Sequence, residues 1–431
     1  PHMGQFAVQE LANTAWAFST LQVDNCPLRA AIAAESIRKI AEVTCQGLAT
    51  TASAFAAWQC GDRPLLEAIA AEALPKLAQG SLDAASEDPS RFTLSRVLNL
   101  VRALAAAGLL EEHLFSTAAA ALQRHAGQLE GDSVQLGRPS EPRDGPADEP
   151  RVLLHQPRLC VVWKPPGWTV SVSDDESLSE QPAFQTGGSG RGLQDWIEHA
   201  FGADRPIARD AGASYGLAQR LDRLTSGSLL WGSCYSGYFA ARLHLAARRV
   251  RKVYCCLCHG WLQPGLGLQE ARLLVQTVRA GGQPPRSSMG GSRGMLARTE
   301  VAAAGHLACP EGGAVSLVEV RIHTGLMHQI RSHLSGLGHP LVGDAVYGSS
   351  MPDWCARMFL HARRLGIDIG DGPVDVEVPL PQDLRAALQQ LTPLDQAACE
   401  LLARMGRGAL EPLRQEGCCR EEEGMTPTQK G

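Results

Sequence analysis

A stretch near the start of this chain returns 37 residues later, and that repetition limits the fold more than any other feature. Leu11-Ala12-Asn13-Thr14-Ala15-Trp16-Ala17-Phe18 is answered by Leu48-Ala49-Thr50-Thr51-Ala52-Ser53-Ala54-Phe55. Pro27-Leu28 and Ala31-Ile32-Ala33-Ala34-Glu35 return, with no gap, as Pro64-Leu65 and Ala68-Ile69-Ala70-Ala71-Glu72. A third, degenerate copy starts near Leu94, after an insertion around Asp83 to Pro89. Each unit reads as two Ala-rich helices, the second opening on a proline, where a missing N–H is harmless. A period in the thirties is the mark of a helical solenoid whose units bury their faces on their neighbours.

Beyond the repeats the pattern changes. Residues 131–150 (GDSVQLGRPSEPRDGPADEP) have the Pro, Gly and Asp content of a linker. Strand-like runs follow: Leu159 to Trp163 is apolar, while Val315 to Ile322 and Val374 to Val378 alternate. Helical stretches lie between them at Gly237 to Arg249 and His328 to Leu337. The expected organisation is therefore a helical-repeat segment over 1–130 and a linker over 131–150. An α+β mixed-sheet domain over 151–381 and a helical tail with a polar, disordered end over 382–431 complete it. Two Gly/Ser/Pro-rich loops interrupt the α+β domain at 173–192 and 279–294, the second carrying Arg279, Arg286 and Arg293.

The net charge of −5 argues against a generally basic nucleic-acid binder. It hides an asymmetry: the net charge is −7 over residues 1–150, +4 over 151–380 and −2 over 381–431. The positive part suits a polyanionic partner. No apolar run reaches the roughly 18 residues of a membrane span, and no signal-peptide pattern is present. The opening Pro1-His2-Met3 fits a piece of a longer chain. The 13 cysteines, scattered and odd in number, fit reduced thiols, in the cytoplasm or an organelle such as a mitochondrion or plastid alike.

Two metal-like patterns fail on spacing. Cys255-Cys256-Leu257-Cys258-His259 spells C-x-x-C-H, but it continues the strand-like Val253-Tyr254, where successive side chains face opposite ways. Histidines 323, 328, 333 and 339 are separated by five, five and six residues, which repeat on no helix face. No metal is expected.

Asp222 is the residue of most interest. In Ala218-Gln219-Arg220-Leu221-Asp222-Arg223-Leu224-Thr225-Ser226-Gly227 it sits at the mouth of a turn, between two arginines and ahead of the buried strand Ser228-Leu229-Leu230-Trp231. Two roles fit: a carboxylate that caps its own turn, or one kept ionised by guanidinium to act as nucleophile or base. Arg242, Arg248, Arg249, Arg251 and Lys252 follow, either as a solvated helix face or as a phosphate-binding patch at a cleft rim.

Four blocks occur in order: Lys164-Pro165-Pro166-Gly167, Arg220 to Gly227, Lys252-Val253-Tyr254 running to Gly260, and His323-Thr324-Gly325-Leu326-Met327-His328-Gln329-Ile330-Arg331 running to Gly343-Asp344. With Phe359-Leu360-His361-Ala362, they make residues 152–380 resemble the RluA-type pseudouridine synthases of RNA. The resemblance implies a mixed-sheet core around a cleft and an isomerase of RNA uridines, working on rRNA, tRNA or organellar RNA with no cofactor. It implies that Asp222 is the catalytic aspartate, Tyr254 the tyrosine stacked on uracil and Arg331 the partner of the carboxylate. Ile330 becomes an apolar wall and Arg220 the residue that helps displace the target base. Arg223, Arg248, Arg249, Arg251 and Lys252 are candidates for binding the RNA.

The sequence departs from the family pattern at Gln219, where His is usual, and at Leu326 and Met327, which replace Arg and Thr. The helical units loosely resemble octotricopeptide-like repeats of organellar RNA-processing proteins. The rival reading is a catalytically weak RNA-binding or scaffold protein that works through the repeats. Joint retention of Asp222, Tyr254 and Arg331 favours the enzyme.

Overall fold

The computed structural model describes residues 3–406 apart from 22, 24, 59–61, 80–88, 131–147, 171–190, 277–285 and 292–293. Most of the expected linker, most of both long loops (with Arg279 and Arg293) and the polar end beyond 406 therefore lie outside the described residues.

The repeats are helical pairs: α1 (Val8–Thr20) with α2 (Cys26–Arg38), α3 (Cys45–Trp58) with α4 (Arg63–Gln79), and α5 (Pro89–Ala107) with α6 (Glu112–Glu130). The local reason repeats along with the sequence. Asn25 Oδ1 accepts the Leu28 N–H at 3.0 Å, and Asp62 Oδ1 accepts the Leu65 N–H at 3.1 Å, so both second helices start on a capping side chain followed by proline. α1, α3 and α5 stack in one row and α2, α4 and α6 in another. Leu48, Phe55, Leu65, Ile69, Leu94 and Leu104 fill the space between them. Burying each such side chain contributes roughly 1.5–3 kcal/mol.

The rest is built on one 11-stranded sheet. In chain order it comprises β1 (Arg151–His155), β2 (Leu159–Lys164), β3 (Ser226–Gly232), β4 (Arg251–His259), β5 (Gly267–Gln276), β6 (Arg286–Met289), β7 (Met295–Ala308), β8 (Ala314–Ile322), β9 (Leu360–Ile367), β10 (Val374–Glu377) and β11 (Thr392–Pro393). The spatial order is β1-β2-β3-β9-β4-β8-β7-β5-β6, with β10 on β9 and β11 on β7. β3 and β9 run parallel and the other pairs antiparallel. Where β3 and β9 meet, Gly227 has φ 137° and a Cβ there would lie 2.3 Å from the Ala362 carbonyl, so no other residue fits. The helices of this part are α7 (Leu193–Phe201), α8 (Tyr235–Ala246), α9 (Gln329–Gly336), α10 (Gln382–Gln389) and α11 (Gln396–Gly406).

The alternation of strand side chains sorts these helices onto two faces. Tyr254, Cys256 and Cys258 of β4 join Val318 and Val320 of β8 and Ile330 and Leu334 of α9 on one face. Farther along the same face, Cys160 and Val162 of β2 and Leu229 and Trp231 of β3 pack on Leu193 and Ile197 of α7. On the opposite face, Leu159, Val161 and Leu230 pack on α8, and Cys255 and Leu257 pack on α10 and α11. Cys255 and Cys258, the two thiols of the C-x-x-C-H run, thus belong to different cores.

Two packing relations differ from the sequence reading. The helical pairs are not a separate body: α5 and α6 pack on α8 and share its hydrophobic cluster. Glu130 Oε1 accepts the Ser236 N–H at 2.8 Å, and the Phe115 ring meets His244 edge-on at 5.1 Å. The C-terminal helices are no appendage either. Leu384, Leu388, Ala398 and Leu401 are buried against the sheet, so a boundary at residue 381 cuts through one core. Among the described residues, no helix is long and apolar enough to cross a membrane.

Candidate active site

Asp222 lies on the loop that enters β3, on the face that carries α9. The four successive backbone carbonyls from Asp222 to Thr225 are all held. The Asp222 carbonyl accepts the Thr225 N–H at 3.0 Å, and that of Arg223 accepts the Gly167 N–H at 2.8 Å. The Leu224 carbonyl takes the Arg357 guanidinium at 2.8 Å. Lys164, fully buried at the end of β2, points its Nζ at three carbonyls: Pro165 at 3.0 Å, Arg223 at 3.1 Å and Thr225 at 2.8 Å. Burial pushes the Lys164 amine well down. Three acceptors nonetheless call for three N–H donors, which only the ammonium form has. Arg357 is anchored in turn by Asp383 at 2.5 Å.

A turn fixed at four successive carbonyls can hold one side chain in one place. Among the described residues the Asp222 carboxylate accepts no backbone N–H, so it caps no turn. It accepts a hydrogen bond from Arg331 NH1 at 3.0 Å, and His328 Nε2 stands 3.9 Å from its other oxygen. Burial alone would raise this carboxyl. His328, Arg331 and, farther off, Lys164 outweigh burial and hold it below the ordinary carboxylate range.

Arg331 is itself positioned. Asp344, 1% exposed, accepts from Arg331 Nε at 2.7 Å and from NH2 at 2.9 Å, the two-point geometry that fixes a guanidinium plane. The Arg331 guanidinium also lies 5.1 Å from the centre of the Tyr347 ring. Leu326 and Met327, the departures from the family pattern, take part in this turn through their backbones. The Leu326 N–H donates to Gln329 Oε1 at 3.1 Å, and the Met327 carbonyl accepts from Ser287 Oγ at 2.5 Å.

Tyr254 directly follows the register shift between β4 and β9, a place where strands re-aim side chains. It is buried with Ile330, Met358 and Leu360, and Leu224 packs on that cluster. Burial and the Asp222 charge push its phenol up, so it remains a neutral ring. A cleft of about 250 Å³ opens beside Asp222 and Arg331, lined by Pro166, Leu224, Val346, Met358 and Arg357 among others. Met358 and Leu224 thus form its wall on the side of Tyr254 and Ile330. An ionised carboxylate and an apolar wall meet within one recess, and the buried Tyr254 ring packs in the cluster that includes that wall.

The remaining candidates are dispersed. Arg220 is exposed, two residues ahead of Asp222. Arg223 lines the cleft, and its Nε donates to the Gly167 carbonyl at 3.3 Å. Lys252 shares the sheet face of Tyr254, with its Nζ 3.4 Å from the Thr324 carbonyl; burial, with Arg248 adding, lowers its amine to about 8. Arg251, one residue away, is exposed and takes the other face of the strand. Arg248 has a left-handed backbone, φ 60°, just after α8. Arg249 does something the sequence did not suggest: it pairs with Glu112 of α6 at 2.6 Å and covers the Phe115 ring at 3.6 Å. Its guanidinium is committed to the helical pairs.

The four histidines likewise go separate ways: His323 to Glu300, His328 to Asp222 and Tyr347, His339 to the His259 carbonyl, and His333 into the buried side of α9. Sequence reasoning left Lys164, Asp344 and Arg357 without roles, although all three stand in or beside motifs it had picked out.

Known proteins resemble this chain. Residues 158–336 match the family model of RNA pseudouridylate synthase. An uncharacterized RNA pseudouridine synthase of Zymomonas mobilis is 31% identical over 236 residues, covering 54% of this chain and 94% of that protein. The ribosomal large subunit pseudouridine synthase D of the same organism is 28% identical over 274 residues, covering 60% of this chain and 77% of that protein. Another uncharacterized RNA pseudouridine synthase, from Chloroflexus aurantiacus, is 35% identical over 182 residues, and the chain spans 53% of its length. The chain belongs to the RNA pseudouridine synthases, a family of isomerases, through an RluA-type domain.

Proposed function

We propose that this chain isomerises specific uridines in RNA to pseudouridine and that Asp222 is the catalytic residue. The observation that carries the proposal is the Asp222 carboxylate, ionised by its surroundings and fixed at the edge of a cleft walled by apolar side chains. The reaction breaks the C1′–N1 glycosidic bond, turns the freed uracil and joins C1′ to C5; C5 gives up its proton and N1 takes one up, so the formula is unchanged. A carboxylate serves it either by attacking C1′ or by removing a ribose proton, and both roles need charge and low water access. The buried Tyr254 ring, with Ile330 and Met358, supplies the flat apolar surface that keeps the loose base in place. Arg220, exposed beside the cleft, suits the gap left by a base flipped out of its stack. Arg223, Arg248 and Lys252 are the cations that we assign to the RNA backbone, and we assign Arg251, on the other face of β4, to the same role farther from the cleft.

We also retain the division into a helical unit (1–130), a linker (131–150) and a synthase part with its C-terminal helices, and we read the helical pairs as octotricopeptide-like. Since they pack on the sheet face opposite Asp222, they act outside the cleft, where they would help choose the RNA. The scaffold reading is less well supported, because the carbonyls from Asp222 to Thr225 are all braced and the carboxylate is held by Arg331.

The test is direct. Purified full chain is incubated with rRNA and tRNA fractions in the presence of a chelator, and pseudouridine is counted by nucleoside mass spectrometry. Formation by the wild type, with none by Asp222→Asn, supports the proposal, including a reaction without metal. Equal formation by both variants overturns the role of Asp222.

A further inference from the structure

The Asp222 carboxylate has a second neighbour that the reaction as described leaves idle. His328 caps the start of α9 with left-handed backbone angles, φ 50° and ψ 26°, and is buried. A side chain other than glycine is uncommon in that region, and here Nε2 stands 3.9 Å from Asp222 Oδ1. The other ring nitrogen, Nδ1, lies 3.3 Å from the Tyr347 hydroxyl.

The hydrogens in this chain can be assigned from their partners. Tyr347 Oη receives the Ser287 N–H at 2.8 Å and stands 2.8 Å from the Ser287 carbonyl, which can only accept. The phenolic proton therefore goes to that carbonyl, and burial keeps the phenol from losing it. Toward His328 the hydroxyl oxygen is left as an acceptor, so Nδ1 carries a hydrogen. Nε2 faces a carboxylate oxygen, where a bare lone pair is repelled and an N–H is attracted. Both nitrogens protonated means an imidazolium.

The charged groups around the pair are these. Arg331 is shared between two carboxylates, Asp222 and Asp344. The Lys164 ammonium is hydrogen-bonded to three backbone carbonyls and adds a positive charge on the far side of Asp222. Arg223 donates to the Gly167 carbonyl, Arg357 pairs with Asp383, and Tyr254 and Tyr347 are neutral phenols. We propose that His328 stands beside Asp222 as an imidazolium and is a positioning residue, holding the Oδ1 side of the carboxylate as Arg331 holds the Oδ2 side. It acts on the reaction through the charge and orientation of Asp222. Its role in catalysis rests on the function proposed above, whereas its charge state does not.

The experiment has two arms. The full chain, labelled with 15N-histidine, is studied by long-range proton–nitrogen NMR at neutral pH, with the His328 signal assigned by its loss in His328→Gln and its shift in Tyr347→Phe. The expected pattern is an imidazolium in the wild type that becomes a neutral Nδ1–H ring in Asp222→Asn. A neutral His328 in the wild type, or one indifferent to Asp222→Asn, overturns the proposal. The second arm is the pH dependence of pseudouridine formation on total RNA. Without the cation, Asp222 holds its proton to higher pH, so the acid limb of His328→Gln moves up, with activity on that limb falling about tenfold for each pH unit of displacement. A limb that stays in place while the rate falls assigns His328 a purely structural part and overturns the proposal. Should the wild type form no pseudouridine, the functional reading fails while the NMR arm still decides the charge.

Discussion

Arg331 bridges two carboxylates that differ in burial, and that asymmetry predicts opposite outcomes for two similar substitutions. Asp344 is 1% exposed and makes two hydrogen bonds to the guanidinium, whereas the Asp222 side chain is 22% exposed and makes one. Asp344→Asn leaves a deeply buried Arg331 with half of its compensating charge. Breaking a buried pair on one side costs about 3–5 kcal/mol. For a domain of this size about 2–4 °C of melting temperature goes with each kcal/mol, so a fall on the order of 10 °C is expected. Asp222→Asn keeps the Asp344–Arg331 pair and removes a carboxylate whose charge burial already opposes, so its cost is well below that of Asp344→Asn. The two proteins are compared by thermal unfolding and by pseudouridine formation on the same RNA. Asp222→Asn should melt near the wild type and be inactive. Asp344→Asn should melt much lower, its residual activity limited by a wandering Arg331. Equal melting temperatures would refute the assignment of Asp344 as the anchor of the site.

Three further outcomes follow from single contacts. His361 is fully buried, with Nδ1 3.0 Å from Ser226 Oγ and Nε2 3.1 Å from the Val378 carbonyl, and burial lowers it from 6.5 to about 4. The unfolded chain then takes up a proton that the folded one refuses, so stability present above pH 6.5 is lost as pH falls toward 4, by roughly 3 kcal/mol; urea midpoints should slope across that window in the wild type and flatten in His361→Asn. Arg249→Ala removes the contact to Glu112 and Phe115, so α6 should be cut sooner in limited proteolysis while pseudouridine formation is unchanged. Tyr254→Phe keeps the ring and loses only the hydroxyl, so its rate should fall far less than that of Tyr254→Ala.

What the sequence revealed and what it hid have physical reasons. The helical pairs were legible because capping and helix starts are local: Asn25 with Pro27 and Asp62 with Pro64 announce both second helices. Asp222, Tyr254, Ile330 and Arg331 stand in ordered motifs, and the structure brings Asp222 to Arg331 and Tyr254 into one cluster with Ile330. Lys164 and Asp344 stood in the same motifs but showed no role, because their role is burial and partnership across the sheet. Arg249 was grouped with Arg251 and Lys252 because a charge in a sequence has no direction. Strand parity alone would have separated Arg251 from Lys252, as they occupy opposite faces of β4. The docking of α5 and α6 on α8, and of α11 on β7, joins segments far apart in the chain and left no periodic trace.

The central claim is that the Asp222 charge performs the isomerisation. The most direct measurement maps pseudouridine at single-nucleotide resolution across the RNA of cells lacking this protein, then of the same cells given wild type or Asp222→Asn at equal levels. The account predicts a defined set of uridines that lose the modification without the protein, regain it with the wild type and stay unmodified with Asp222→Asn. Restoration by Asp222→Asn to the wild-type level would contradict it.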